Sequence, residues 1–395
     1  MRRGVATFTL DSGRCPPWLF QRMVALGREI IYVLIDEYGP DEFVRRIADP
    51  VWFQSLGTIL AFDWNASGLT TILTAALKEA IRGDERNLGL FICGGKGKTS
   101  LKTPVEIENW GRILNFDIEQ TRGLKFSSKM AAKVDSSLIQ DGYSIYHHAF
   151  IFSRNGAWAV VQQGMNTASS SARRYHWGDE LDLKTQSSKL KAKNFTEEPH
   201  TGIASQVFEK NVLNLVAKKS RKNKDIATQL ISSSYMTVMK NIQLLRSHFS
   251  SLSRSITLRN GAEQLSILQL SDEHFRTHPV ILEDFGKSKY LEKIIQKVCF
   301  EKPQNYEQFL ATEGVGPKTV RALSLVSEVI YGADPSYEDP ARYSFAFGGK
   351  DAIPYPVDKP IYDKTISLLE RAINRSKINL FEKQKALRRL DKVYK

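Results

Sequence analysis

The apolar residues Leu19, Met23, Leu26, Ile30 and Val33 fall three or four positions apart, the spacing of one helix face. The run begins at Pro16-Pro17, which suits a first turn, and stops at "YGP". A second helix is predicted over "GLTTILTAALKEAIRG", with Ile72, Leu73, Ala76, Leu77 and Ile81 on one face, Thr70 and Thr71 available as caps, and Gly83 at its end. "VATFTL" (5–10) alternates as a strand, "LGLFIC" (88–93) reads as a buried strand, and helical segments run from about Val105 to Leu138.

Two apolar runs follow, "YSIYHHAFIF" and "AWAVVQQGM", joined through Asn155-Gly156, a strong hairpin signal. Helices mixed with these strands make residues 1–183 an α+β domain. From 184 to 201 the text is polar and without period, which predicts a linker or loop. From 202 to 395 the pattern reads as helical to the end.

Charge sharpens that division. The chain has 56 Lys and Arg against 43 Asp and Glu, a net +13 and a pI of about 9.4. Between Lys210 and Arg259 there are ten basic residues and one acid, Asp225, including Lys218, Lys219, Arg221 and Lys222. One-sided charge of this density repels itself unless a polyanion offsets it. Cys15, Cys93 and Cys299 are too few and too scattered for a disulfide framework or a paired metal motif. No apolar run reaches the length that crosses a bilayer, and the start does not read as a signal peptide, so a cytoplasmic, nucleoid-associated protein is expected.

The densest motif is "EGVGPKTVRALSL" (313–325). A helix with Leu291, Ile294, Ile295, Val298 and Cys299 on one face precedes it, then a shorter helix over "NYEQFLATE"; Val320, Leu323, Val326 and Ile330 follow at helical spacing. Gly314 and Gly316 permit a tight turn and close approach. The first amides of the next helix can then hold a phosphate, with Lys318, Thr319 and Arg321 beside it. Residues 303–331 resemble the helix-hairpin-helix element of DNA repair proteins, whose contacts are to the backbone. In the catalytic form of that element a lysine at the place of Lys318 attacks the sugar and an aspartate follows. Here Asp334 and Asp339 flank the expected spacing and Asp358 lies some forty residues downstream of Lys318.

A second cluster lies on the strand hairpin. Alternation puts His147 and His148 on opposite faces, and likewise Gln162 and Gln163, with one of each pair expected to point away from the core. The loop expected next supplies Asn166, Arg173, Arg174 and His176. Imidazoles move protons near neutral pH and guanidinium groups hold phosphate oxygens, which suits phosphodiester hydrolysis. Asp63 and Asp141 sit in unusual turns, and His147 with His176 offers metal ligands without a supporting motif. "ICGGKGKT" (92–99) has Ile92 where a P-loop needs glycine, and "SLKTPVEI" delays the helix, so Lys96 and Lys98 are read as a basic turn that touches backbone phosphate.

Together "DSGRCPPWLF", "ADPVWFQSLG", "FDWNASGLTT", "ICGGKGKTSLKTP", "WAVVQQGMN", "ARRYHW", "GVGPKT" and "PYPVD" resemble the family called domain of unknown function 763, found mostly in archaea and thermophilic bacteria. The resemblance spans nearly the whole chain, implies little about activity, and puts a histidine in relatives where Asn65 stands here. The expectation is a DNA-binding repair or recombination protein with His147, His148, Gln163, Arg173, Arg174 and His176 as a nuclease site. Mg²⁺ or Mn²⁺ is a candidate cofactor. A glycosylase or abasic lyase using Lys318 and a non-enzymatic adaptor for DNA structure are the alternatives.

Overall fold

The computed structural model describes residues 15–60, 66–179, 194–249, 257–260, 263–266, 289–342 and 359–394. The strand expected at 5–10, Asp63, Asn65, Asp358 and most of the polar stretch from 184 lie outside those residues.

Five antiparallel strands form the central sheet: β1 (Leu90–Lys96), β3 (Ser144–Ser153), β4 (Trp158–Asn166), β5 (Ser171–Gly178) and β6 (Gly202–Ser205), side by side in that order. The β3–β4 connection turns through Asn155 and Gly156, the latter at φ 94°, in the left-handed region that glycine tolerates. A short β2 (Ile139–Gln140) pairs with β7 (Leu213–Asn214), apart from the main sheet.

Period-two alternation sends Phe150, Phe152, Trp158, Val160, Tyr175 and Trp177 to one face. There they pack on α7 (Ile118–Ser137), α8 (Arg221–Ser233), α9 (Tyr235–Phe249), α10 (Lys289–Glu301), α11 (Tyr306–Ala311) and α12 (Pro317–Val329) within one continuous apolar cluster. Ala149, Ile151, Ala159 and Val161 go to the other face, against α1 (Pro17–Tyr38), α2 (Pro40–Ala48), α3 (Pro50–Ile59), α4 (Ala66–Ala80), α13 (Lys359–Arg375) and α14 (Leu380–Tyr394). The chain is therefore α+β, with an antiparallel sheet between two helical layers. Phe195, in the polar stretch before β6, stacks on Trp158 with ring centroids 6.1 Å apart, so its end is anchored to the core.

Three expectations change. The reading of everything after 201 as helix missed β6 and β7, whose Gly202–Ser205 and Leu213–Asn214 are too short to show a period. Arg173, Arg174 and His176 lie on β5, not in a loop. The charged text "ARRY" is a poor strand signal; here the row is completed by partners above and below the sheet. Because both faces are covered, no member of the His147–His148 or Gln162–Gln163 pairs points to solvent: all four are buried.

Candidate functional site

α7 sets the geometry. Asp117 and Gln120 start it with a reciprocal capping box, Asp117 Oδ1 accepting from the Gln120 amide at 2.6 Å and Gln120 Oε1 from the Asp117 amide at 3.1 Å. Ser128, Ala131 and Asp135 then recur at helical spacing toward the sheet. Lys129 and Lys133, four positions apart on the same helix, face the α11–α12 junction. Lys133 Nζ donates to three carbonyls there, Leu310 O at 2.7 Å, Thr312 O at 2.7 Å and Val315 O at 3.1 Å, and Lys129 Nζ donates to Ala311 O at 2.8 Å. A cation at a helix C-terminus satisfies carbonyls that have lost their intrahelical donors. Burial, then Lys129 and Lys297, pulls Lys133 down to about 8.

The turn itself is constrained where the sequence suggested and freer at one place. Gly314 has φ 91° and an added Cβ would lie 2.3 Å from Ile294 Cδ1, so it is needed on both counts. Gly316 has φ −152°, extended backbone open to other residues, and an added Cβ would meet nothing within 4 Å. Pro317 has no N–H, and the amides of Lys318 and Thr319 have no acceptor among the described residues. Lys318 is exposed, Thr319 is buried, and Arg321 Nε is held by Gln140 Oε1, whose Nε2 reaches Pro317 O at 3.0 Å. α12 thus starts at an uncapped, solvent-facing end, fixed from beneath by α7 and β2.

The six residues expected as one catalytic set divide between the two faces of the sheet. On the α7 face, Gln162 Nε2 donates to Ala131 O at 3.2 Å and to Asp135 Oδ2, which fixes Gln162 Oε1 as acceptor. His148 Nδ1, 2.8 Å away, therefore carries the proton, and its Nε2 accepts from Ser128 Oγ at 2.9 Å. Asp135 also accepts from Trp177 Nε1 at 3.0 Å and sits 2.5 Å from His200 Nε2. Further along, Arg173 bridges Asp141 at 2.9 Å and Asp339 at 2.6 Å, and Tyr175 Oη donates to Asp141 at 2.7 Å. Burial works against the charged guanidinium, but Asp141 and Asp339 outweigh it and hold Arg173 above the ordinary arginine range. Asp339 is thus committed to a buried ion pair, and Asp334 is exposed.

On the α4 face, His147, Gln163 and Arg174 lie opposite one another across β3, β4 and β5, with His176 one row on. Thr74 Oγ1 gives its proton to Thr70 O at 2.9 Å or Thr71 O at 3.1 Å, so His147 Nε2, 3.1 Å away, is the donor to it. Gln163 Nε2 donates to Ser67 O at 3.0 Å, to Ser67 Oγ at 3.2 Å and to Tyr146 Oη. Arg174 reaches Gln54 Oε1 at 3.1 Å and Thr70 Oγ1 at 3.3 Å over the Phe53 ring, and His176 Nδ1 donates to Ile47 O at 3.1 Å. His147 Nδ1, Gln163 Oε1 and His176 Nε2 are left as buried acceptors without a partner among the described residues. Burial, then His148 and Lys96, lowers His147 to about 3; burial also lowers His148 and, with Arg174 adding to it, His176.

A bulge in β3 explains how Tyr146 joins this layer. Ile145 pairs with Gly164 and His147 with Gln163, so Tyr146 is the extra residue, and its hydroxyl reaches the face that strict alternation would deny it. Lys96, opposite His147 on β1, is exposed with Nζ 5.9 Å from the Tyr146 ring centre.

The remaining basic candidates are surface groups. Lys98 is exposed in the 3-10 turn after β1, a turn that separates the glycines from α6 (Thr103–Ile113). Lys218, Lys219, Arg221 and Lys222 are exposed around the start of α8, where cations oppose the helix dipole; Glu198 and Glu197 pair with Lys218 and Arg221. Among the described residues no group of three or more His, Cys, Asp or Glu is placed to hold a metal ion. No described helix is long and apolar enough to cross a membrane.

Sequence reasoning missed Asp135, Lys133, Ser128 and Tyr146, and noted Asp141 and Asp339 only for their positions. Asp135 had a signal: an acid on the apolar face of the α7 pattern. The bulge that places Tyr146 leaves none.

These features define a class of protein: an α+β chain whose antiparallel sheet is enclosed by helices and whose α11–α12 junction leaves Lys318 exposed. The chain belongs to the family described as "Protein of unknown function (DUF763)", whose model matches residues 4–357. No curated protein and no solved structure matches it.

Proposed function

We propose that the protein binds DNA by its backbone through the α11–α12 junction. The observation that carries this reading is the open start of α12: two amides without acceptors, the exposed Lys318 ammonium, and a turn held by Lys129 and Lys133. Amides at a helix N-terminus bind phosphate because the dipole and the donors converge there. The net charge of +13 supports a polyanionic partner. The junction has the order of a helix-hairpin-helix element and would grip without reading bases. The ion pair with Arg173 counts against Asp339 as the aspartate of a Lys318 lyase.

The test is fluorescence anisotropy with duplex and branched DNA over a salt series. Binding should weaken steeply with salt as counterions are released. Lys318→Ala should weaken binding to all sequences alike and lower the salt slope by about one. Salt-independent binding, or an unchanged slope in Lys318→Ala, overturns the assignment.

A further inference from the structure

The turn from Lys96 to Lys102 carries three lysines and no acid, and an apolar tip stands among them. Leu101 is 78% exposed and Val105 is 60% exposed, with the exposed Pro104 between them. Leu101 and Val105 are four positions apart across the start of α6, which puts them on one side of it. An exposed leucine alone needs no explanation, but this one is framed by the exposed Lys96, Lys98 and Lys102. Glu106, the next acid along the chain, is already held by Lys78 Nζ at 2.7 Å and by the Gly94 amide at 2.9 Å.

The tip is fixed from within. Ser100 Oγ donates to Gly97 O at 2.6 Å, and Thr103 Oγ1 donates to Ser100 O at 2.7 Å. Thr103 is buried against Gly94, where φ is 82° and an added Cβ would lie 2.4 Å from Thr103 Oγ1. A contact made by an already ordered tip loses little entropy. The tip also lies at the same end of the sheet as the α11–α12 junction. Lys96 pairs with His147 near the start of β3, and Gln140, seven residues before His147, holds Pro317 O and Arg321. Seven residues span at most about 25 Å, less than the ~34 Å of one turn of duplex DNA. α7 joins the two regions: Lys125 Nζ pairs with Glu108 of α6 at 2.7 Å, and Lys129 Nζ reaches Ala311 O.

We propose that the 96–102 turn is a second contact of the DNA-binding surface and selects duplex DNA whose stacking is interrupted by a bulge, a mismatch or a branch. This rests on the backbone-binding reading above. Leu101 enters the broken base step, while Lys98 and Lys102 meet the phosphates on either side of it. An apolar side chain that enters a step must unstack it, and that cost is least where a base pair is already lost. The lysines favour a polyanion over an apolar protein groove as the occupant.

The experiment compares the full-length wild type with Leu101→Ser, the double variant Lys98→Ala with Lys102→Ala, and Lys318→Ala. Fluorescence anisotropy is measured on one DNA sequence as intact duplex and with a central bulge, and 2-aminopurine beside the bulge reports unstacking. Wild type should bind the bulged DNA about tenfold more tightly than the intact duplex and raise the 2-aminopurine signal. Leu101→Ser should abolish both effects and leave affinity for the intact duplex unchanged. The double lysine variant should weaken binding to both DNAs and lower the salt slope by about two. Equal wild-type affinity for the two DNAs, with binding that Lys318→Ala weakens, overturns the wedge and leaves the junction reading standing. A bulge preference that Leu101→Ser removes and Lys318→Ala does not touch keeps the turn as the contact and sinks the junction. Absence of DNA binding overturns the proposal; binding to phosphatidylserine-containing vesicles that Leu101→Ser removes would then assign the tip to a lipid surface.

Discussion

The two faces of the central sheet treat buried polar groups in opposite ways. On the α7 side, Asp135 and Asp141 are hubs: His148, Gln162, Trp177, His200, Arg173 and Tyr175 all end on them directly or through one neighbour, and apart from Arg173 Nε no buried polar side-chain atom of these residues lacks a partner among the described residues. On the α4 side, amide, imidazole and hydroxyl groups meet the helix, and three acceptors have no partner among the described residues. A saturated network in a low-dielectric interior is rigid and specifies one packing. An unsaturated one is destabilising unless something else fills it. The difference separates a saturated polar layer from an unsaturated one on one sheet, although the strand text "HHAFIF" and "VVQQGM" gives neighbouring residues to both.

The comparison breaks most easily at Arg173. Arg173→Met removes one partner of a buried triad and leaves Asp141 and Asp339 facing each other, so unfolding free energy should fall by about 3–5 kcal/mol. Urea denaturation measures it, and a loss below about 1 kcal/mol would mean that the hubs do not hold the fold. Next come the glutamines, identical in chemistry and adjacent in sequence. Gln162→Leu strips donors from Asp135 and an acceptor from His148, and should cost about 2–3 kcal/mol. Gln163→Leu removes an amide that is already half unsatisfied and should cost about 1 kcal/mol. Equal losses would erase the distinction between the faces.

What was legible follows the same line. Apolar period found α1, α4, α7, α10 and the β3–β4 hairpin, because burial writes itself into hydrophobic spacing. Glycine and lysine chemistry located the α11–α12 junction, but assigned Gly316 a conformational need that its extended backbone does not have. The polar cluster was found as residues and misread as a place. Arg173, Arg174 and His176 look like loop text, and only their partners, Asp141 and Asp339 for the first and Ile47 O for the last, make them strand residues. Those partners come from 32 to 166 positions away, a range no local pattern encodes.

Protonation offers the finest probe of the two layers. Burial lowers His147 to about 3, against about 6.5 in an unfolded chain. Above pH 6.5 both states are neutral there and stability does not depend on this group. As pH falls below 6.5 the unfolded chain binds a proton that the native state refuses, so stability declines by up to about 1.4 kcal/mol per pH unit until about pH 3. His148 and His176 are shifted in the same direction and add to the slope. His147→Gln should remove one proton's share, about 1.4 kcal/mol per unit, from urea stabilities measured between pH 4 and 6. The wild-type slope persisting in that variant would place a charged imidazole, not a bare neutral one, beneath α4.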